Sequence, residues 1–266
     1  MPLTIVRKSI SVPESVSNEF RHLENVLSRP QDKELELKLF QWDMQTNLHI
    51  ERFYIKGNSG KIEHAHDTAL LNNFFADQHV RTILKLPSFN RDTSSALMYH
   101  ELKATVTTCA FFDKILESNI VSYGGVIRRC LDEYHNGISV GDQLKKMMIE
   151  SDNDTDDFFT ESERKEFMCH IFRSVVIGGS LSQPDENISP YISATKSMYK
   201  RLISVKKKPT DPNGLQITSR VYQVRCTDTS YSSLFSTTSP YHSCYVIVDP
   251  KKRLITAWYY PYRSFW

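Results

Sequence analysis

Residues 241–260 read YHSCYVIVDPKKRLITAWYY. Two runs rich in β-branched and aromatic residues, 241–248 and 254–260, flank Asp249-Pro250-Lys251-Lys252-Arg253. Runs of this kind around a short polar connection predict a β-hairpin. The aromatic end, WYYPYRSFW (258–266), is expected to pack on the sheet that the hairpin joins. Just upstream, residues 216–225 alternate, with Ile217, Ser219, Val221 and Gln223 set against Thr218, Arg220, Tyr222 and Val224. A period of two is that of one strand. Asp211-Pro212-Asn213-Gly214 before it is a turn signal, and the Ser/Thr-rich segment 227–240 reads as a loop.

The middle of the chain has a different period. Residues 161–177 place Phe167, Ile171 and Val175 on one helical side, and Gly178-Gly179 ends the run. Residues 187–202 predict another helix, where Pro190 fits only near the start. Ser139-x-x-Asp142 resembles a capping box opening a helix with Val140, Leu144, Met147 and Met148 on its apolar side. Helices in the middle and strands at the end predict an α+β fold: a helix-rich middle packed on a largely antiparallel sheet with a C-terminal β-hairpin. We expect a single domain over 1–266, interrupted by an acidic loop at 151–160 and the loop at 227–240. No repeat of 20–50 residues is visible.

Residues 111–134, FFDKILESNIVSYGGVIRRCLDEY, predict two short helices broken at Gly124-Gly125. Arg128–Asp132 and Arg129–Glu133 would then be i,i+4 pairs. A phosphate site at the Gly-Gly turn is the other reading, but neither GxGxxG nor GK[ST] is present. Toward the N-terminus, helices are expected over 14–27, over 33–44 and from about Asp67, and strands over 3–12, 48–55 and 80–86. Residues 88–99 read as a loop, and 102–110 fit either a strand or the start of the helix at Phe111.

Chemistry-bearing patterns are sparse. His64-x-His66 has metal-ligand spacing from an extended segment, but no third ligand follows at a known spacing; a polar loop is the alternative. Asp152, Asp154, Asp156 and Glu163 stand at positions 1, 3, 5 and 12 of an EF-hand-like loop. Position 6 is Asp157 where that loop uses Gly, and Thr160-x-x-Glu163 reads equally as a capping box. A calcium-responsive binding module is therefore the alternative function. The five cysteines, 109, 130, 169, 226 and 244, are odd in number and widely spaced, which points to reduced thiols. No secretory signal and no apolar run of membrane-spanning length is visible, so no membrane partner is expected. We expect no cofactor and no enzymatic activity, since no spacing brings a nucleophile and base together.

Net charge is +2, unevenly spread. Residues 1–141 sum to −1, residues 142–190 to −6 and residues 191–266 to +9. Asymmetry of this kind bears on association. The basic third carries no nucleic-acid-binding motif, so an acidic protein partner is expected, with Lys206, Lys207 and Lys208 as a candidate contact; a solvated turn is the alternative.

Several segments resemble the cilia- and flagella-associated protein 300 family. They are 111–121, 123–134 (YGGVIRRCLDEY), 178–183 (GGSLSQ) followed by 188–205, 215–221 (LQITSRV) and 246–250 (VIVDP), in family order. The resemblance implies a non-enzymatic factor for assembling outer and inner axonemal dynein arms. It implies action in the cytoplasm with association to the cilium and flagellum axoneme. The partners it implies are dynein assembly factors, axonemal dynein subunits and the intraflagellar transport machinery. It defines no catalytic residues, and assigns the Asp-rich loop no role.

Overall fold

The computed structural model describes residues 19–28, 32–57, 62–87, 97–108, 110–150, 158–209, 211–226 and 234–263. In chain order the strands are β1 (Glu19–Asn25), β2 (His49–Lys56), β3 (Leu97–Leu102), β4 (Arg129–His135), β5 (Ile138–Asp142), β6 (Val205–Lys208), β7 (Asp211–Ile217), β8 (Arg220–Cys226), β9 (Ser243–Asp249) and β10 (Leu254–Tyr260). The helices are α1 (Lys33–Gln41), α2 (Asp67–Ala76), α3 (Gln78–Leu84), α4 (Asp113–Leu116), α5 (Gln143–Glu150), α6 (Glu161–Arg164), α7 (Phe167–Ile177) and α8 (Ser189–Leu202). This is the expected α+β class.

Six strands form one sheet in the order β1-β2-β10-β9-β8-β3, and every neighbouring pair is antiparallel. The C-terminal hairpin lies at its centre. Asp249 shapes the hairpin loop by accepting hydrogen bonds from the backbone N–H of Lys251 and Lys252, and Arg253 takes the left-handed conformation that closes it.

Helices cover both faces, so β9 is buried at every position. Tyr245 and Ile247 point to one core with Val221, Trp258 and Tyr260, covered by α1, α5, α7 and α8. Cys244, Val246 and Val248 point to the other with Phe53, Ile55, Ile255 and Ala257, covered by α2 and α3. Within the aromatic end, Trp258, Tyr259, Tyr260 and Tyr262 are buried as expected, and residues 264–266 lie outside the described residues.

Two clamps fix helices to this frame. Asp67, at the start of α2, accepts from Arg220 Nε at 2.5 Å, Arg220 Nη2 at 2.7 Å and the Tyr222 hydroxyl at 2.5 Å. Trp42 stacks on Tyr191 of α8 at 4.7 Å, and its indole N–H donates to Asp185. Behind Trp42, Gly179 N donates to the Trp42 carbonyl at 2.7 Å.

Several local expectations are corrected. Residues 126–134 are not a second helix. After the sharp turn at Gly124 (φ 80) and Gly125 (φ 77) the chain is extended into β4. β4 returns as β5 through Asn136-Gly137, both with positive φ, a two-residue hairpin turn. The i,i+4 pairs do not form: Arg129 approaches Glu186, and Glu133 pairs with Lys146 and His135. Ser139 and Val140 lie in β5, and Asp142 alone caps α5, accepting from Lys145 N at 2.7 Å.

Residues 80–84 of the expected 80–86 strand are helical. Asp77 caps α3 through His79 N and Val80 N, and Lys85 ends it in the left-handed region. Residues 19–25, expected as helix, pair with β2 as an edge strand. Residues 97–102, expected as loop, pair with β8. The helix over 161–177 is two, parted at Lys165-Glu166, with Glu166 bridged to Lys103. The strand over 216–225 is also two: it breaks at Thr218-Ser219, so β7 pairs with β6 and β8 joins the sheet. The strand expected over 3–12 lies outside the described residues.

Candidate docking groove

The C-terminal half of α8 and the β6–β7 hairpin build a groove beside the sheet. α8 opens with Pro190 in its first turn, where a missing N–H is harmless. It buries Tyr191, Ile192, Thr195, Met198, Tyr199 and Leu202, which leaves Lys200 exposed and Lys196 half-buried. The chain extends at Ile203 and enters β6. Ser204 ties that junction to the sheet: its N–H donates to Ser219 Oγ and its carbonyl accepts from Thr218 N.

The groove, about 220 Å³, has an apolar floor of Met168, Tyr199, Ile203 and Ile217, with Val205 and Leu215 on one wall. Val205 is 51% exposed and Leu215 42%, unusual for residues of their kind on adjoining strands. Lys196 and Lys200 stand on its rim. Tyr199 Oη is buried without a hydrogen-bond partner among the described residues, and burial holds the phenol well above its ordinary pKa, so it remains a donor.

Register decides which lysine of the 206–208 run belongs here. Val205 pairs with Ile217, Lys206 with Gln216 and Lys207 with Leu215. Cross-strand partners share a face, and neighbours along a strand do not. Lys207 therefore shares a face with Val205, Leu215 and Ile217, just beyond the groove's lining, and Lys206 and Lys208 take the opposite face. All three are exposed and form no ion pair among the described residues. The basic surplus of the C-terminal third is smaller in three dimensions than in the sequence. Arg201 is bonded to Asp32, Arg220 to Asp67 and Lys252 to Asp249, which leaves the α8 and β6 lysines as the concentrated charge. Lys196 also lies over the Phe112 ring at 5.6 Å.

The other candidates are not brought together with this groove. Asp152, Asp154 and Asp156 lie outside the described residues. Glu163 completes a capping box with Thr160 and accepts from Lys114 Nζ at 3.1 Å. Calcium ligation at position 12 would have to displace those bonds. His64 and His66 form a single 3-10 turn before α2, and His64 pairs with Glu101 at 3.1 Å. Gly124 is held by Asn187, whose side-chain amide donates to its carbonyl. Cys130, Cys226 and Cys244 are free thiols. No helix among the described residues is long and apolar enough to cross a membrane.

The sequence did not single out Lys196, Lys200 or the groove floor. The floor residues come from α7, α8, the junction after α8, and β7, each of which reads as ordinary core.

A family model described as cilia- and flagella-associated protein 300 matches residues 17–260. The chain is 30% identical over 169 residues to the protein of that description from Chlamydomonas reinhardtii, spanning 62% of this chain and 65% of that one. It is 28% identical over 225 residues to the protein of the same description from Paramecium tetraurelia, spanning 84% of this chain and 86% of that one. No solved structure matches it. With the match running from ahead of β1 to the end of β10, the chain belongs to the cilia- and flagella-associated protein 300 family.

Proposed function

We propose that the chain is a non-enzymatic factor for assembling outer and inner axonemal dynein arms. In this reading it acts in the cytoplasm as a preassembly and transport factor, and reaches the cilium with intraflagellar transport machinery. Its partners are dynein assembly factors and dynein subunits. Family membership supports the ciliary setting. The observation that carries a binding role is the lysine-rimmed apolar groove between α8 and the β6–β7 hairpin.

The groove fits one kind of occupant: an acidic amphipathic segment of a partner protein. One or two apolar side chains would cover Val205, Leu215 and the floor, carboxylates would meet Lys200 and Lys207, and an acceptor would take the Tyr199 hydroxyl. Buried apolar anchors supply most interface energy, and rim charges set partner choice and encounter rate.

Loss of the protein is expected to deplete outer and inner arms from axonemes, read by dynein heavy-chain content. Restoration with Leu215→Asp/Lys207→Glu is expected to fail. Restoration with Lys206→Glu/Lys208→Glu, on the opposite face, is expected to succeed. Axonemes that keep all arms without the protein would defeat the assembly reading. Equal rescue by both variants would defeat the groove.

A further inference from the structure

A second feature shares no lining residue with the groove. Segment 237–240 (Thr-Thr-Ser-Pro) separates two adjoining cavities of about 580 and 750 Å³. Volumes of that size are those of small-molecule sites. The first is lined by His170, Arg173 and Ser174 of α7, Arg225 of β8, His242 and Tyr260. The second carries Lys85 and Arg263. Among the described residues no Asp or Glu lines either one.

The positive field acts on the imidazoles. Burial lowers the pKa of His170 to about 4, and Arg173 and Arg225 add to the effect. Burial also lowers His49 in the second cavity, helped by Lys85. The nearest carboxylate felt by Tyr260 and Tyr262 is Asp43, which accepts from Leu181 N and is not part of either wall.

Two buried polar atoms of residues lining the first cavity have no partner among the described residues. Tyr260 is 2% exposed, and its hydroxyl is buried and unbonded. His242 Nε2 contacts the Thr237 carbonyl at 2.8 Å, as a donor, while buried Nδ1 is unbonded. A buried hydroxyl without a partner costs free energy, so it marks a place where a ligand acceptor would stabilise the fold. Arg225 offers a planar fork of donors, and Thr237 and Ser239 add hydroxyls; Arg173 Nε donates to the Met148 carbonyl and Ser174 Oγ to the His170 carbonyl. Many donors around an anion suit phosphate, which has more acceptor oxygens than a carboxylate.

We propose that this cavity binds a small phosphate-bearing anion, with Arg225 facing its charge and the Tyr260 hydroxyl donating to a phosphate oxygen. Calorimetric titration of the full chain with pyrophosphate, ATP and citrate tests it. Pyrophosphate or ATP is expected to bind with a dissociation constant below about 1 mM. Arg225→Gln, at an exposed position of β8, is expected to weaken binding by about tenfold. Tyr260→Phe is expected to weaken binding with the melting temperature retained or raised, since it deletes an unbonded buried hydroxyl. Lys207→Glu, in the docking groove, is expected to change nothing, so the two sites fail or stand separately. No heat from either phosphate probe, or undiminished binding in Arg225→Gln, would overturn the proposal. Binding of citrate alone would overturn the assignment to phosphate.

Discussion

Replacing Asp67 with alanine is expected to remove about 4 kcal/mol of stability. The figure follows from three contacts. The Asp67 carboxylate is 3% exposed and takes two hydrogen bonds from Arg220, whose side chain is 19% exposed. Leaving one partner of a buried pair uncompensated costs about 3–5 kcal/mol. Arg220 can regain some water, so the lower end, about 3, applies. The Tyr222 hydroxyl also loses its acceptor, adding about 1 kcal/mol. Burial, then the Asp67 carboxylate to which it donates, holds that phenol far above its ordinary pKa, so it stays a neutral donor. A domain with about 5–15 kcal/mol to lose would be left close to its limit. The paired variant Asp67→Ala/Arg220→Met discriminates between mechanisms. If the penalty is an orphaned charge, removing both partners should return stability to within about 2 kcal/mol of the parent. Urea unfolding with a constant m-value is the assay. A single-variant loss under about 1 kcal/mol, or losses that simply add in the double variant, would refute the reasoning.

Gly179→Ala is expected to cost more than about 2 kcal/mol in the same assay, because a Cβ there would sit 2.2 Å from the Asp43 carbonyl oxygen, which is backbone and cannot turn aside. Thr160→Ala should cost about 1 kcal/mol through the lost cap of α6, and calcium should not restore it. Stability should fall as pH drops from about 6.5 toward 4, because His170 has a folded pKa of about 4 and the unfolded chain binds the proton first. Full protection of that ring would make the change at most about 3 kcal/mol; it is partly exposed, so less is expected, and His170→Gln should flatten the slope in thermal melts taken across that range.

Elements with a long apolar stripe or a hydrophobic strand run were legible: α7, α8, β2 and the β9–β10 hairpin all lie where the period places them. What escaped was decided by single polar residues or by distant pairing. Val80 and Leu84 look strand-like in isolation, yet the Asp77 side chain caps two N–H groups and sets a helix. The apolar spacing over 126–134 looks helical, yet the positive φ of Asn136 and Gly137 folds that stretch back as a hairpin, and Leu131 is 85% exposed on β4. Edge strands β1 and β3 owe their conformation to β2 and β8, partners that no local window contains. Of the lysine run, the sequence located the charge, while only the cross-strand register separates Lys207 from its neighbours. The phosphate-sized cavity draws on α7, β8 and β10, and nothing in their spacing brings Arg173, Arg225 and Tyr260 together.

The placement of β10 between β2 and β9 has a bearing on how the molecule is made. Arg52 and Thr256 touch across 204 positions of chain. Both faces of the sheet stay open until that strand emerges from the ribosome, so a nascent chain carries uncovered apolar strands through most of its translation. Pairing over such distances is slow and leaves the growing polypeptide prone to aggregate. Any message that stops upstream of Leu254 would yield a product in which neither core can close.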